Sequence, residues 1–346
     1  MIKSICIAVT ILLFSPALAL AVSPVLSDLD SEEELVCGVS TGVAGFSFLD
    51  ELGKYSGLDV DFCRAIAAAI FGDDSRVRYV PLDSKERFDA LEDGSIDILS
   101  RNTTWTLDRD AEYDFEFVGV MFYDGQGFLS NSGKLIDQKE DLNDQTICVQ
   151  EGTTTESNLK SYKELHDLTF EISYQGSNEE AEEAYLGNKC SIYSNDTSAL
   201  AGFKASITEG AKDHVTGTLL ISKEPLGPVV REDQQYLADV ARWLMNALLL
   251  AEELGITSAN VDQIAQNPEN IDAQKLLRPN DGGSSGACLG LGSDWAYNAI
   301  LQVGNYGEIF EANVGRETAL GLERGSNALF VNGGLMYALP FGSGCG

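Results

Sequence analysis

Three polar stretches of the sequence carry side chains suited to holding a small charged molecule. The densest is Asp97-Ile98-Leu99-Ser100-Arg101-Asn102-Thr103-Thr104-Trp105-Thr106-Leu107-Asp108-Arg109. Arg109 offers a planar fork that matches a carboxylate, and Asn102 and Thr104 add neutral donors. The plain alternative is a surface pairing of Arg109 with Asp108 or Asp110. The second stretch is Val149-Gln150-Glu151-Gly152-Thr153-Thr154-Thr155-Glu156. Its Gly permits close backbone approach, and hydroxyls with free amides at a helix start bind an anion. A Thr followed three residues later by Glu is also an ordinary helix entrance, and both readings can hold at once. The third stretch, Tyr193-Ser194-Asn195-Asp196, supplies a carboxylate for an ammonium group, unless Asp196 is spent capping a helix from Thr197. Arg109 and Asp196 facing each other would complement the two charged ends of an amino acid.

The surrounding pattern says what must position these groups. Strands at 35–39, 77–81 and 96–99 alternate with helices at 61–71 and 85–92, which predicts an α/β unit with a mainly parallel sheet. The pattern restarts near Gln145, with strands at 146–150, 169–174 and 190–193 and helices at 155–162 and 179–186. A second α/β unit is therefore inserted after the first. Extended Gly- and Pro-rich stretches, Tyr123-Asp124-Gly125-Gln126-Gly127 and Ser222-Lys223-Glu224-Pro225-Leu226-Gly227-Pro228, would carry the chain out of the first unit and back. The expected division is a first lobe over 22–124, a second over 125–223, a return segment over 224–279 with a long helix from 233 to 254, and an ordered C-terminal extension over 280–346. Ligands gather at the carboxyl ends of strands, so the cleft between the units is the expected site.

Composition bounds the rest. The 346 residues hold 54 acidic against 23 basic side chains, a net charge of −31, with 44% hydrophobic residues. Such acidity repels nucleic acid and anionic lipid as main partners, while the apolar share excludes a disordered acidic chain. Residues 1–21 have the basic start, short apolar run and small terminal residues of a secretory signal peptide, with cleavage expected after Ala19 or Ala21. The later apolar stretch Val240 to Leu254 is broken by Arg242, Glu252 and Glu253 and reads as a core helix. Cys37, Cys63, Cys148, Cys190, Cys288 and Cys345 remain in an exported chain; about 15 pairings are possible. Sequence order suggests Cys37–Cys63, Cys148–Cys190 and Cys288–Cys345. A zinc site is the rival, but no Cys-x-x-Cys occurs. No metal or cofactor is expected: the sequence has no Gly-x-Gly-x-x-Gly and no P-loop. Gly282-Gly283-Ser284-Ser285-Gly286 fits a hydrolase elbow formally, yet no His follows it. His166 and His214 are expected on the surface of the second lobe.

These residues also carry a resemblance. Gly57-Leu58-Asp59-Val60-Asp61, Ser100 to Thr106, Tyr123 to Phe128, Gly152 to Glu156, Ile221 to Pro228, Ser258-Ala259-Asn260-Val261-Asp262, Asp294-Trp295-Ala296-Tyr297 and Val303 to Glu308 resemble, in order, the periplasmic general L-amino-acid-binding proteins of ABC transporters. The resemblance runs from about Leu35 to Leu339 and implies an α/β, type II two-lobed periplasmic binding protein fold, with a hinge-closing cleft between two α/β lobes. It implies an L-amino acid ligand, an ABC transporter permease in the inner membrane as partner and a periplasmic protein; a monomer is expected, and the lack of enzyme signatures in the sequence argues against catalysis. Carried over by motif, Arg109, Asn102, Thr104 and Thr154 would hold the α-carboxylate, Thr153 would line the same turn, and Asp196 would hold the α-ammonium. Ser84, Arg87 and Arg101 match positions that face the side chain in the glutamate- and aspartate-binding relatives, and Phe46 would pack on its aliphatic part. Those relatives carry an Arg in the first loop where this chain places Ser40, which opens the range to Gln, Asn or a broad set. The rivals are a dehydratase-like enzyme on the same fold, or a binding protein that serves a sensor or chemoreceptor.

Overall fold

The computed structural model describes residues 34–208, 210, 213–277 and 285–342. The expected signal peptide, Cys345 with its bridge to Cys288, and most of the Gly282–Gly286 run lie outside the described residues.

Two five-stranded sheets organise the chain. The first has the order Val77–Leu82, Leu35–Ser40, Ile98–Leu99, Val229–Arg231, Phe115–Phe117. The pairings on both sides of Leu35–Ser40 are parallel, and those on both sides of Val229–Arg231 are antiparallel. The second has the order Glu171–Gln175, Thr146–Gln150, Ile192–Asp196, Gln126–Ser130, Val215–Thr216, with Gln126–Ser130 antiparallel to both neighbours. The expectation of mainly parallel sheets is thus corrected at one edge of each. The strands that enter the second unit at Gln126 and return to the first at Val229 run against the strand-helix repeats, because they belong to the crossings. Those crossings form a two-stranded antiparallel ribbon of their own, Phe122–Asp124 against Glu224–Leu226.

Burial explains the elements. All six residues of Leu35–Ser40 are buried, as a central parallel strand covered on both faces requires. The helix Leu58–Phe71 starts earlier than the sequence suggested, at Gly57 with φ 131°, where a Cβ would lie 2.1 Å from the carbonyl oxygen of Phe46. Only Gly permits that entry. Cys37–Cys63 ties this helix to the first strand, and Cys148–Cys190 ties Thr146–Gln150 to the approach to Ile192–Asp196. Closing loops of 26 and 42 residues contributes about 3–4 kcal/mol each by restricting the unfolded chain.

The core of the first lobe also includes the tail. Helices Trp295–Val303 and Tyr306–Asn313 bury Trp295, Ile300, Tyr306 and Phe310 against Leu58–Phe71 and the long helix Gln235–Glu253. The second sheet has a separate core on each face, one around Phe128, Ile147 and Leu159, the other around Tyr185, Tyr193 and Phe203. The carboxyl ends of both sheets face one cleft, and every polar stretch singled out from the sequence ends there.

Candidate functional site

The cleft is lined on the first lobe by Arg87, Arg101, Asn102, Thr104 and Arg109 together with Val43. Gln150, the turn Thr153 to Thr155, Asn178, Asn195 and Asp196 line it from the second. The lobes touch directly across it. Thr104 Oγ1 lies 3.3 Å from Thr154 Oγ1, Ser84 Oγ donates to the carbonyl of Glu151 at 3.1 Å, and Lys85 pairs with the Glu151 carboxylate at 2.9 Å. The free space among these groups is about 30 Å³, room for about two waters, so a larger guest enters only as the lobes part. Two wider surface depressions, of about 620 and 810 Å³, lie away from these groups, around Lys160–Tyr174 and Glu311–Leu335.

Three guanidiniums meet in this small space. Arg109 is buried on the short helix Leu107–Glu112, whose start is capped by Thr106. Its Nη1 donates to the carbonyl of Thr104 at 2.8 Å, and its charged neighbours are Glu224 and Asp196 rather than Asp108 or Asp110. The surface-pairing alternative is therefore overturned. Arg101 donates Nε to the carbonyl of Leu82 at 3.0 Å; burial pushes its pKa down to about 10. Arg87 is pushed well below the ordinary arginine range by burial and by the other two cations, and its Nε has no hydrogen-bond partner among the described residues. Phe88 packs against two of them, with Arg87 at 4.7 Å and Arg109 at 5.3 Å from the ring centre.

The loop that carries Arg101 and Asn102 is held from below. Asp59, fully buried in the first turn of Leu58–Phe71, accepts the Asn102 amide at 2.9 Å and the Ser100 hydroxyl at 3.2 Å. Burial raises its pKa to about 7 in spite of those bonds and of Arg101 nearby. Asn102 takes φ 36°, an uncommon conformation for a residue with a side chain, and its Oδ1 is buried without a partner among the described residues.

Opposite these cations stands Asp196. It occupies the N-cap position of Thr197–Ser206 yet its side chain makes no capping bond. Asp124, at the end of the ribbon strand, caps the helix instead, accepting the Ser198 amide at 3.1 Å, the Gly125 amide at 2.8 Å and the Thr197 hydroxyl. The capping alternative for Asp196 is overturned as well, and its Oδ1 is left buried with no hydrogen-bond partner among the described residues. Burial, Asp124 and Glu224 push its pKa well up, while Arg109 and Arg87 pull it down. An unpaired buried carboxylate of this kind costs several kcal/mol until a cation meets it.

Thr153 caps the helix Thr154–Leu165 by accepting the Glu156 amide at 3.2 Å and donates to the carbonyl of Gln150 at 2.7 Å. Its hydroxyl is committed to the turn, and the helix start it shapes faces the cleft. Thr154 donates to Glu224, a buried carboxylate of the ribbon that Asn158 and Ser222 also hold. Of the residues expected from the sequence, Arg87, Arg101, Asn102, Thr104, Arg109, Thr153, Thr154 and Asp196 come together. Ser84 is spent at the rim on Glu151. Phe46 does not reach the cleft: it is core, 5.2 Å from the Phe122 ring, and Val43 lines the wall in its stead. Ser40 is buried behind the wall, where Ser47 Oγ accepts its amide. The expectations passed over Asn178, Asp59, Asp124 and Glu224. Asn178 had a signal, since it opens a helix after a strand as Thr154 does.

The comparisons with known proteins fit this geometry. Residues 35–249 match the family of bacterial extracellular solute-binding proteins, family 3. The chain belongs to that family. The solute-binding protein is 44% identical over 316 residues to the glutamate/glutamine/aspartate/asparagine-binding protein BztA of Rhodobacter capsulatus, covering 91% of this chain and 93% of that one. It is 44% identical to the general L-amino acid-binding periplasmic protein AapJ of Rhizobium johnstonii, over 91% and 92% of the two chains. Among solved structures, a periplasmic binding protein from Brucella ovis with glutathione bound superposes with a TM-score of 0.88 at 45% identity, over 91% of this chain and 98% of that one. The solute-binding protein thus has the two-lobed type II fold. No helix among its described residues is long and apolar enough to cross a membrane.

Proposed function

We propose that this solute-binding protein captures an acidic L-amino acid, or its amide, in the periplasm and delivers it to the permease of an ABC transporter. One observation carries the reading: three buried guanidiniums face one buried, unpaired carboxylate across a cleft that closes on itself. An α-amino acid fits that charge pattern. Its ammonium meets Asp196, and its carboxylate meets Arg109 and the start of the helix Thr154–Leu165. Arg87 and Arg101 remain for a second acidic group on the side chain. The named relatives bind glutamate, aspartate and their amides or general L-amino acids, which supports the same range.

Capture works by population shift. The lobes touch through Ser84–Glu151 and Thr104–Thr154, and a ligand that bridges both walls favours the closed form by its extra contacts there. The named relatives are binding proteins, and we read the protein as a carrier and not a catalyst. A thermal-shift screen of the L-amino acids, with glutathione added because a relative holds it, tests the reading. Stabilisation by Glu or Asp is expected. A flat response to every compound would refute it.

A further inference from the structure

The C-terminal extension reaches past the shared core and grips the hinge. Asn327 accepts the Tyr123 amide through Oδ1 at 2.6 Å and donates Nδ2 to the Tyr123 carbonyl at 3.1 Å. Tyr123 is the central residue of Phe122–Asp124, and Pro225, opposite it in the ribbon, gives its carbonyl to the Trp105 amide on the other side. Asn327 therefore satisfies both backbone groups of the residue about which the ribbon is built. It is itself fixed: Arg324 donates to its carbonyl at 2.9 Å, pairs with Glu252 at 3.0 Å and covers the ring of Phe310 at 4.7 Å. Two further contacts hold the same strand. Tyr306 Oη donates to the carbonyl of Met121 at 2.9 Å, and Phe310 stacks on Phe122 at 6.0 Å.

We propose that the extension is a hinge clamp, in which Asn327 pins Tyr123 to the first lobe and confines bending to the residues that follow it. The next residue is Asp124, whose carboxylate caps the helix behind Asp196, so a fixed Tyr123 also fixes the position from which Asp124 acts on the second lobe. Three side chains of the extension, Tyr306, Phe310 and Asn327, meet this strand or the residue before it, and Arg324 backs Asn327 and Phe310. No packing requirement of the core explains an amide side chain at Asn327 that is 4% exposed and spends both of its polar atoms on one backbone residue. A loosened strand would spread the bend over 122–125, admit more open arrangements and release ligand faster.

The clamp rests on the capture reading for its ligand readout only; the shape of the ligand-free protein reports on it independently. Asn327→Ala is compared with the wild type by small-angle scattering without ligand and by stopped-flow release of L-glutamate, read through Trp105 fluorescence. The variant is expected to show a larger mean radius of gyration and release about tenfold faster, within the usual range of coupling between sites. Asn327→Asp, which keeps the acceptor for the Tyr123 amide, is expected to fall between the two. Unchanged scattering and unchanged release overturn the clamp. If Asn327→Ala does not fold, Tyr306→Phe removes only the bond to Met121 and carries the same expectation and the same refutation. A wild type that binds no amino acid refutes the capture reading, while the scattering comparison still decides the clamp.

Discussion

The Asp124 carboxylate accepts the Ser198 amide at 3.1 Å, so the helix that follows Asp196 is capped from the hinge ribbon and not by the residue at its own N-cap position. That exchange of one acid for another leaves Asp196 free to face three arginines. Asp124→Ala should release the helix amides to Asp196, cost about 1 kcal/mol of stability and weaken ligand binding, whereas Asp124→Asn, which keeps one of the two acceptor oxygens that serve Gly125, Thr197 and Ser198, should fall between it and the wild type in both. Denaturation midpoints and titration calorimetry on the two variants check the pair. Equal affinity in Asp124→Ala and wild type would sink this division of labour.

Charge selectivity is expected to lie with Arg87 and Arg101. Replacing either by Met removes a hydrogen-bonded charge from the ligand's second acidic group, a loss of about 1.5–3 kcal/mol for Glu or Asp and much less for Gln or Asn. The same changes should raise the stability of the ligand-free protein. Burial and the neighbouring cations already disfavour the charge at Arg87, and burial disfavours it at Arg101. Calorimetry with Glu and Gln side by side, and melting curves without ligand, measure the two effects. A uniform loss for both ligands would place the second acidic group elsewhere.

How much of this was legible in the sequence depends on where each group gets its role. Arg109, Asp196 and the Thr153–Thr154 turn follow strands, and the strand-helix alternation alone directs such positions to a cleft. The Cys37–Cys63 and Cys148–Cys190 bridges followed from sequence order, because each pair lies within one repeat unit. What escaped is what tertiary contact decides. Phe46 resembles a pocket residue in its motif, but its ring is drawn into the core by Phe122. Asp59 and Asp124 look like ordinary acids beside strands and helices. Their roles appear only when Asn102 and Ser198 are brought to them from 43 and 74 residues away. The antiparallel edges of both sheets were hidden because short strands such as Val229–Arg231 have no periodicity to read.

Asp59 makes stability depend on pH. Its folded pKa, raised to about 7 by burial, exceeds the ordinary 3.8, so between those values the folded protein holds a proton that the unfolded chain has lost. Its contribution is complete below the ordinary value and is lost as the pH rises through about 7. Urea midpoints of wild type and Asp59→Asn across this window should show the wild type losing ground to the variant as pH increases. A constant difference would mean that Asp59 does not titrate there.

Closure brings Gly202 of the second lobe against Ala44 of the first, where an added Cβ would sit 3.0 Å from the Ala44 Cβ and 3.2 Å from its carbonyl oxygen. Gly202→Val should therefore prop the lobes apart. A larger radius of gyration with ligand present and at least about tenfold weaker binding are expected, the latter on the scale of a coupling free energy. Scattering and calorimetry on one sample set check both. Full compaction with ligand would show that the lobes do not need this contact to close.

The central claim is that Arg109 and Asp196 grip the two ends of one amino acid from opposite lobes. Titration calorimetry of L-glutamate into wild type, Arg109→Ala and Asp196→Asn tests it directly. One saturable site is expected in the wild type, with a loss of about 2–5 kcal/mol in each variant, because each leaves a partner charge unpaired in the closed cleft. Affinity near that of the wild type in both variants would contradict the account.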